Sequence, residues 1–132
     1  MNSKIITAAV ILAVVAYLLY TSYVLFPKKR AYQSVSPEEF YRMIQSGDVF
    51  VIDVHVPKQK PIPGTNAWIP YDRIEEYSNL LPEDKSTKIL VYCRSGHMSK
   101  MAASKLAQMG YENIYELDGG VIAWQEAGLP YS

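Results

Sequence analysis

The chain has 132 residues, 49% hydrophobic and 20% charged, which suits one folded domain with an appendage and excludes a wholly disordered polymer. Its formal net charge is zero, but all 13 acidic residues lie beyond position 31, where only nine of the 13 basic ones fall. That part therefore carries about −4 and lacks the basic footprint of a nucleic-acid binder, and a single cysteine cannot close an intrachain disulfide.

Residues 5–26, IITAAVILAVVAYLLYTSYVLF, form an uncharged run of 22 residues. As a helix it spans roughly 33 Å, enough for a hydrocarbon layer of about 30 Å. Tyr17, Tyr20 and Tyr23 gather toward one end, Pro27 stops the helix, and Lys28, Lys29 and Arg30 follow. A cleaved signal peptide has a shorter apolar core and a small-residue cleavage site. A buried core helix is amphipathic, and a membrane-surface helix carries a charged face. The run is read as a single transmembrane anchor, with residues 1–30 as anchor and basic flank and the lipid bilayer as the partner of 5–26. The basic flank favours the cytoplasmic side for the remainder, a domain over 31–132 joined by a short linker from about Lys28 to Val35.

In the domain, Ser36 is placed to cap a helix, with Pro37 at its first position, Glu39 completing a capping box and Gly47 at the stop. Residues 49–54, VFVIDV, read as a strand buried on both faces. The proline-rich stretch HVPKQKPIPGT reads as a loop, AWIP as a brief strand, and Asp72 to Leu80 as a short helix. KILVY at 88–92 is a buried strand running straight into Cys93. Ser99, Ala102, Ala103, Leu106 and Met109 follow helical spacing up to Gly110. NIYEL reads as a strand, Gly119-Gly120 as a break, and VIAWQEAG as a last helix with Trp124 in the core. Strands alternating with helices imply an α/β domain, an open parallel sheet flanked by helices.

Cys93 thus sits at the carboxyl end of a buried strand, before a glycine-containing loop and a helix start. Ligands of open parallel sheets gather at that edge, and the helix directs free N–H groups and its positive dipole end there. Gly96 lets the backbone curl into an anion-binding nest, and Arg94, with His97 or Lys100, adds positive charge. Such a place stabilises a thiolate, the nucleophilic form. The alternative is that Cys93 fills core space, as most free cysteines do. The polar loop favours the reactive reading.

Taken in order, DVHVPKQKPIPGT, VYCRSGHMS and LDGGVIAW resemble a rhodanese domain over about Val35 to Ser132. The resemblance implies a parallel-sheet α/β fold and a sulfurtransferase that forms a persulfide on Cys93. The sulfur comes from a small donor anion or persulfide and leaves to an external thiol or other nucleophile; no cofactor is expected. It also implies an anion-binding loop of Arg94, Ser95, Gly96, His97, Met98 and Ser99, supported by Asp53 and His55. Three positions depart from the pattern: His55 stands where the family often has Arg, KPIPGT replaces Gly-His-Ile-Pro-Gly-Ala, and Met98 occupies a position often Arg, Lys or Thr. The last puts thiosulfate in doubt and favours a persulfide or polysulfide.

Related cysteine phosphatases need an arginine six residues after the cysteine to clamp an oxyanion, and that position is Ser99. A non-catalytic module that binds a partner or senses sulfide at the membrane is the other alternative, and the retained cysteine argues against it. One cysteine and two unevenly spaced histidines fit no recurrent metal-ligand pattern. His97 also reads as an ordinary solvent-facing histidine, and Asp53 as a loop organiser rather than a catalytic acid.

Overall fold

A computed structural model describes residues 2–132, which form two compact units, one running up to Arg30 and the other Ala31–Ser132. The first is the helix α1, Ser3–Leu25, whose N-cap Asn2 accepts the Lys4 N–H at 3.1 Å. No residue of α1 is buried, and by length and composition it can cross a membrane. A span and a signal sequence both meet that description.

The second unit is built on five parallel strands: β1 (Gln33–Val35), β2 (Val49–Asp53), β3 (Ala67–Trp68), β4 (Lys88–Tyr92) and β5 (Asn113–Leu117). Their order across the sheet is β1-β5-β4-β2-β3. Helices α2 (Pro37–Ser46), α3 (His97–Gln108) and α4 (Gly120–Glu126) and a 3-10 helix (Ile74–Leu80) complete it. Parallel strands need crossovers, which α2, the 3-10 helix and α3 supply, while α4 follows the last strand.

The strand period of two sorts the core. Ile89 and Val91 of β4, with Cys93 just beyond it, join Ile52, Val54 and Ile114 against Ala102, Ala103 and Leu106 of α3. Leu90 and Tyr92 point the other way and join Val51, Leu117 and Phe40 of α2 against Val121 and Trp124 of α4. Each such buried aliphatic side chain contributes about 1.5–3 kcal/mol. Trp124 is fully buried, edge-on to Phe40 and Tyr41 with centroids at 6.3 and 5.7 Å, and its ring N–H donates to the Pro130 carbonyl.

Two local expectations change. Residues 33–35 are not linker: they form edge strand β1, in register with Tyr115 to Leu117. Gln-Ser-Val has no apolar run to announce a strand, and its pairing with β5 supplies the order that its own propensity lacks. At α2, Ser36 does cap the Glu39 N–H at 3.2 Å, but the Glu39 carboxylate pairs with Arg42 one turn on, leaving the reciprocal half of a capping box unmade.

Candidate functional site

Strand β4 sits between β2 and β5 and ends at Tyr92, so Cys93 emerges at the middle of the sheet's carboxyl edge. Its residue is 1% exposed. Two backbone N–H groups reach the sulfur, from Gly96 at 3.1 Å and Ser99 at 3.4 Å. The Ser99 hydroxyl lies 3.4 Å from Sγ, placed to accept the thiol proton. Inward-facing N–H donors favour the charged form of the sulfur.

The loop curls because Gly96 adopts φ 102°, a left-handed conformation that an L side chain rarely takes, and α3 begins at the next residue. Helix α4 fixes it from behind. The first-turn N–H groups of Val121 and Ile122 donate to the carbonyls of Cys93 and Arg94, both at 3.0 Å. Those carbonyls are thereby held on α4, leaving N–H groups to meet the sulfur. The approach is so close that a Cβ at Gly120 would stand 2.5 Å from the Arg94 carbonyl and 2.6 Å from that of Cys93. Gly119-Gly120 therefore does more than break the chain: it lets the α4 terminus dock on the cysteine loop.

Arg94, Ser95 and His97 are exposed and Met98 is half-buried, packed by its thioether arm on the α3 side of the core. The six loop residues thus divide, with Gly96 and Ser99 under the sulfur, Arg94, Ser95 and His97 facing outward, and Met98 between, packed on the core. Lys100 does not add free positive charge to the loop, because its ammonium pairs with Glu116 at 3.4 Å and Asp118 at 3.7 Å.

Asp53 lies beside Tyr92 in the sheet register and is buried. Its Oδ1 accepts from the His55 N–H at 3.0 Å and Gln59 Nε2 at 3.2 Å, while no protein donor reaches Oδ2 or Gln59 Oε1. Burial pushes the Asp53 carboxyl upward from its ordinary value, against the lowering effect of those hydrogen bonds. The His55 ring nitrogen Nδ1 pairs with the Pro57 carbonyl at 2.7 Å, and the His55 carbonyl accepts from Trp68 Nε1. These bonds stay within the loop that follows β2 and the strands it joins, whereas the direct support of the Cys93 loop comes from α4. The Tyr92 hydroxyl accepts the Ile62 N–H at 3.0 Å and shares a hydrogen bond with Thr65, tying that loop to β4. Burial pushes this phenol well above its ordinary value, which keeps it neutral.

Sequence reasoning missed Glu116. It lies on β5 with none of its surface exposed and projects to the α3 face with Ile114. Its carboxylate accepts from Ser99 Oγ at 2.8 Å, Ser34 Oγ at 2.7 Å and Lys100 Nζ at 3.4 Å. The available signal was an acid inside a mostly apolar strand, three residues before a double glycine.

The Rhodanese-like domain family matches residues 36–127. A sulfurtransferase of Allochromatium vinosum is 35% identical over 92 residues, covering 67% of this chain and 83% of its own. The thiosulfate sulfurtransferase GlpE of Actinobacillus succinogenes is 28% identical over 109 residues, covering 76% and 90%. The crystal structure of a rhodanese-related protein from Thermoplasma volcanium superposes with a TM-score of 0.64 at 30% identity, over 75% of this chain and 96% of that one. With its five parallel strands and its cysteine at the carboxyl end of β4, the chain belongs to the rhodanese-like domain family.

Proposed function

We propose that this protein is a sulfurtransferase in which Cys93 carries a sulfur atom between a small donor and an external thiol. The observation that carries the reading is the cysteine at the end of β4 with the Gly96 and Ser99 N–H groups on its sulfur, in a chain whose relatives include named sulfurtransferases. In the first step the Cys93 thiolate attacks the outer sulfur of a donor R–S–S⁻. A new S–S bond forms on Sγ, the donor's S–S bond breaks, and the former inner sulfur leaves as a thiolate. In the second step an acceptor thiolate attacks the outer sulfur of the Cys93 persulfide and releases Cys93 as thiolate. The chain has one cysteine, so it supplies no second thiol of its own to resolve the persulfide.

Both steps move negative charge on sulfur, and the loop amides hold that charge without reorganising. Cys93 is 1% exposed, which favours a donor that presents its sulfur end-on. Met98 gives a sulfonate no hydrogen bond, so persulfides and polysulfides are the preferred donors and thiosulfate a poor one. Arg94, on the exposed side, supplies general attraction for anions.

The apolar, unburied α1 followed by Lys28, Lys29 and Arg30 is a single-pass anchor in this reading, with the domain on the cytoplasmic face. The protein should then stay with membranes through alkaline carbonate extraction; recovery in the wash would remove the anchor from the proposal. For the chemistry, the full chain in detergent is incubated with glutathione persulfide, polysulfide or thiosulfate and weighed by intact mass spectrometry. One added sulfur atom is expected on the wild type with the first two donors and none on Cys93→Ala. A wild type that gains sulfur from no donor would end the sulfurtransferase reading.

A further inference from the structure

Glu116 is a buried carboxylate that the sulfur-transfer scheme leaves without a task. Its surroundings form a chain of contacts that begins at the nucleophile. Cys93 Sγ is 3.4 Å from Ser99 Oγ, and Ser99 Oγ is 2.8 Å from Glu116 Oε1. A serine hydroxyl has one proton to give. Its two acceptor choices are Glu116 Oε1 at 2.8 Å and the Gly96 carbonyl at 3.2 Å, and the shorter, charge-assisted one wins. The oxygen lone pairs then face the thiol, so the path reads S–H to O–H to carboxylate without a break.

Everything in that path is shut off from water. Cys93 is 1% exposed, and Ser99 and Glu116 are fully buried. A thiol that must ionise there has no solvent beside it to take the proton, whereas a carboxylate stands two hydrogen bonds away. We propose that Glu116, acting through Ser99, is the internal acceptor of the Cys93 thiol proton. The proposal rests on the reading of Cys93 as sulfur carrier for its use in turnover, though not for the proton path itself.

The step balances within the protein. The S–H bond of Cys93 breaks as an O–H bond forms on Ser99, and the original Ser99 O–H bond breaks as one forms on Glu116 Oε1. The products are a thiolate under the Gly96 and Ser99 N–H groups and a neutral Glu116. When the persulfide is later unloaded and Cys93 departs as thiolate, the same two transfers run backwards. Sγ regains its proton, Glu116 regains its charge, and a full cycle needs no proton from solvent at the cysteine.

The groups around the carboxylate fit an acceptor that alternates between charged and neutral. Ser34 on β1 and Lys100 on α3 hold it in place when charged, and Lys100 keeps Asp118 as a second partner when it is not. Those groups, with Cys93 through Ser99, are the polar and titratable ones facing Glu116 among the described residues. Edge strand β1 thereby gains a use: it brings Ser34 against Glu116 Oε2. Glu116 is a positioning residue by this account, since it reaches the sulfur only through Ser99.

If Cys93 and Glu116 share one negative charge, the shape of the pH profile of Cys93 reactivity reports it. With the relay, the tautomer that has thiolate and neutral Glu116 holds a constant share of the singly charged form. The wild-type rate of alkylation of Cys93 by iodoacetamide should therefore flatten below neutral pH. In Glu116→Gln no internal acceptor remains, so the rate should fall about tenfold for each pH unit lost. At about pH 9 the Gln variant should match or exceed the wild type, because the repelling charge beside the thiolate is gone. Ser99→Ala interrupts the path but leaves both groups in place, with the carboxylate on Ser34 and Lys100, and because equilibrium shares do not depend on path its profile should keep the flattened shape. Where Glu116→Gln does not fold, as judged by thermal unfolding, Glu116→Leu carries the test, since it also removes the acceptor.

A wild type that falls tenfold per unit throughout, with Glu116→Gln parallel to it, would overturn the proposal, because a structural role moves the curve without changing its shape. The lone cysteine makes the alkylation readout specific and independent of any sulfur donor. A flattened wild-type profile without sulfur gain in the mass experiment would sink the carrier reading and leave the proton path standing.

Discussion

Two neighbouring strands, β2 and β4, end at the same edge of one sheet, yet the loops that follow them are opposites. The loop after β4 turns at once into a helix, and the polar groups under Cys93 find partners in α3, α4 and β5. The loop after β2 wanders through three prolines and leaves two buried acceptors, Asp53 Oδ2 and Gln59 Oε1, with no protein donor. The carboxyl edge of a parallel sheet is where ligands gather, but position alone does not make a reactive centre. What separates the loops is the direction of the backbone. After β4 the carbonyls are bound to α4 and the amides meet a sulfur; after β2 the acid Asp53 faces a shortage of donors.

The contrast breaks most sharply at Gly120. A Cβ there would stand 2.5 Å from Arg94 backbone atoms, and the residue sits at φ 60°. Gly120→Ala must push the α4 terminus off the Cys93 and Arg94 carbonyls. We expect about 2–4 kcal/mol of lost stability from strain and overpacking. Persulfide formation should fall about a hundredfold in the folded fraction, because the amides that meet the sulfur are displaced. Gly110→Ala is the control: φ is 98° but nothing lies within 4 Å of the added carbon. It should cost only the backbone term, about 1–2 kcal/mol, with activity kept. Equal loss of activity in both, measured beside thermal unfolding, would mean that α4 is not what orders the loop.

A smaller effect is expected at Met98, on the outer rim of the same loop. Met98→Arg can keep its carbon stem on the core, as Met98 does now, and carry the guanidinium out to solvent. A charge-assisted bond to the sulfonate oxygens should improve kcat/KM for thiosulfate roughly tenfold, while glutathione persulfide changes little. Equal gains for both donors would place the added charge in general attraction rather than in donor choice.

Most of the domain was legible in sequence because its elements announce themselves. KILVY and NIYEL coincide with β4 and β5, and Ser36, Pro37 and Gly47 bound α2. Cys93 was legible for the same reason: strand, glycine loop and helix place it before any coordinates do. Three features were not. Strand β1 is three residues without an apolar pattern, visible only through its pairing with β5. The Glu39 carboxylate had two partners within reach, the Ser36 N–H and Arg42, and local sequence does not choose between them. Glu116 acquires its meaning from Ser34, 82 residues away, and Ser99, 17 away, a meeting that only the sheet order creates. Residues that work by local chain direction can be read from sequence; those that work across strands cannot.

The smallest effect expected lies in the loop after β2. Burial raises the Asp53 carboxyl above its ordinary 3.8, so the folded protein holds that proton more tightly than the unfolded chain. The sign follows: the contribution is fully favourable below about pH 3.8 and is lost as pH rises through the raised value, leaving a net cost at neutral pH. Asp53→Asn keeps an oxygen for the His55 N–H, removes the buried charge, and replaces the donor-less Oδ2 with N–H donors near Gln59 Oε1, the other acceptor that lacks one. The variant should be more stable than the wild type by about 1 kcal/mol at pH 7, and the gap should close toward pH 4. Denaturant melts at the two pH values measure it. A variant less stable at pH 7 would mean that the charge of Asp53 holds its loop, and that the β2 loop is a second anchored site rather than the loose neighbour of the first.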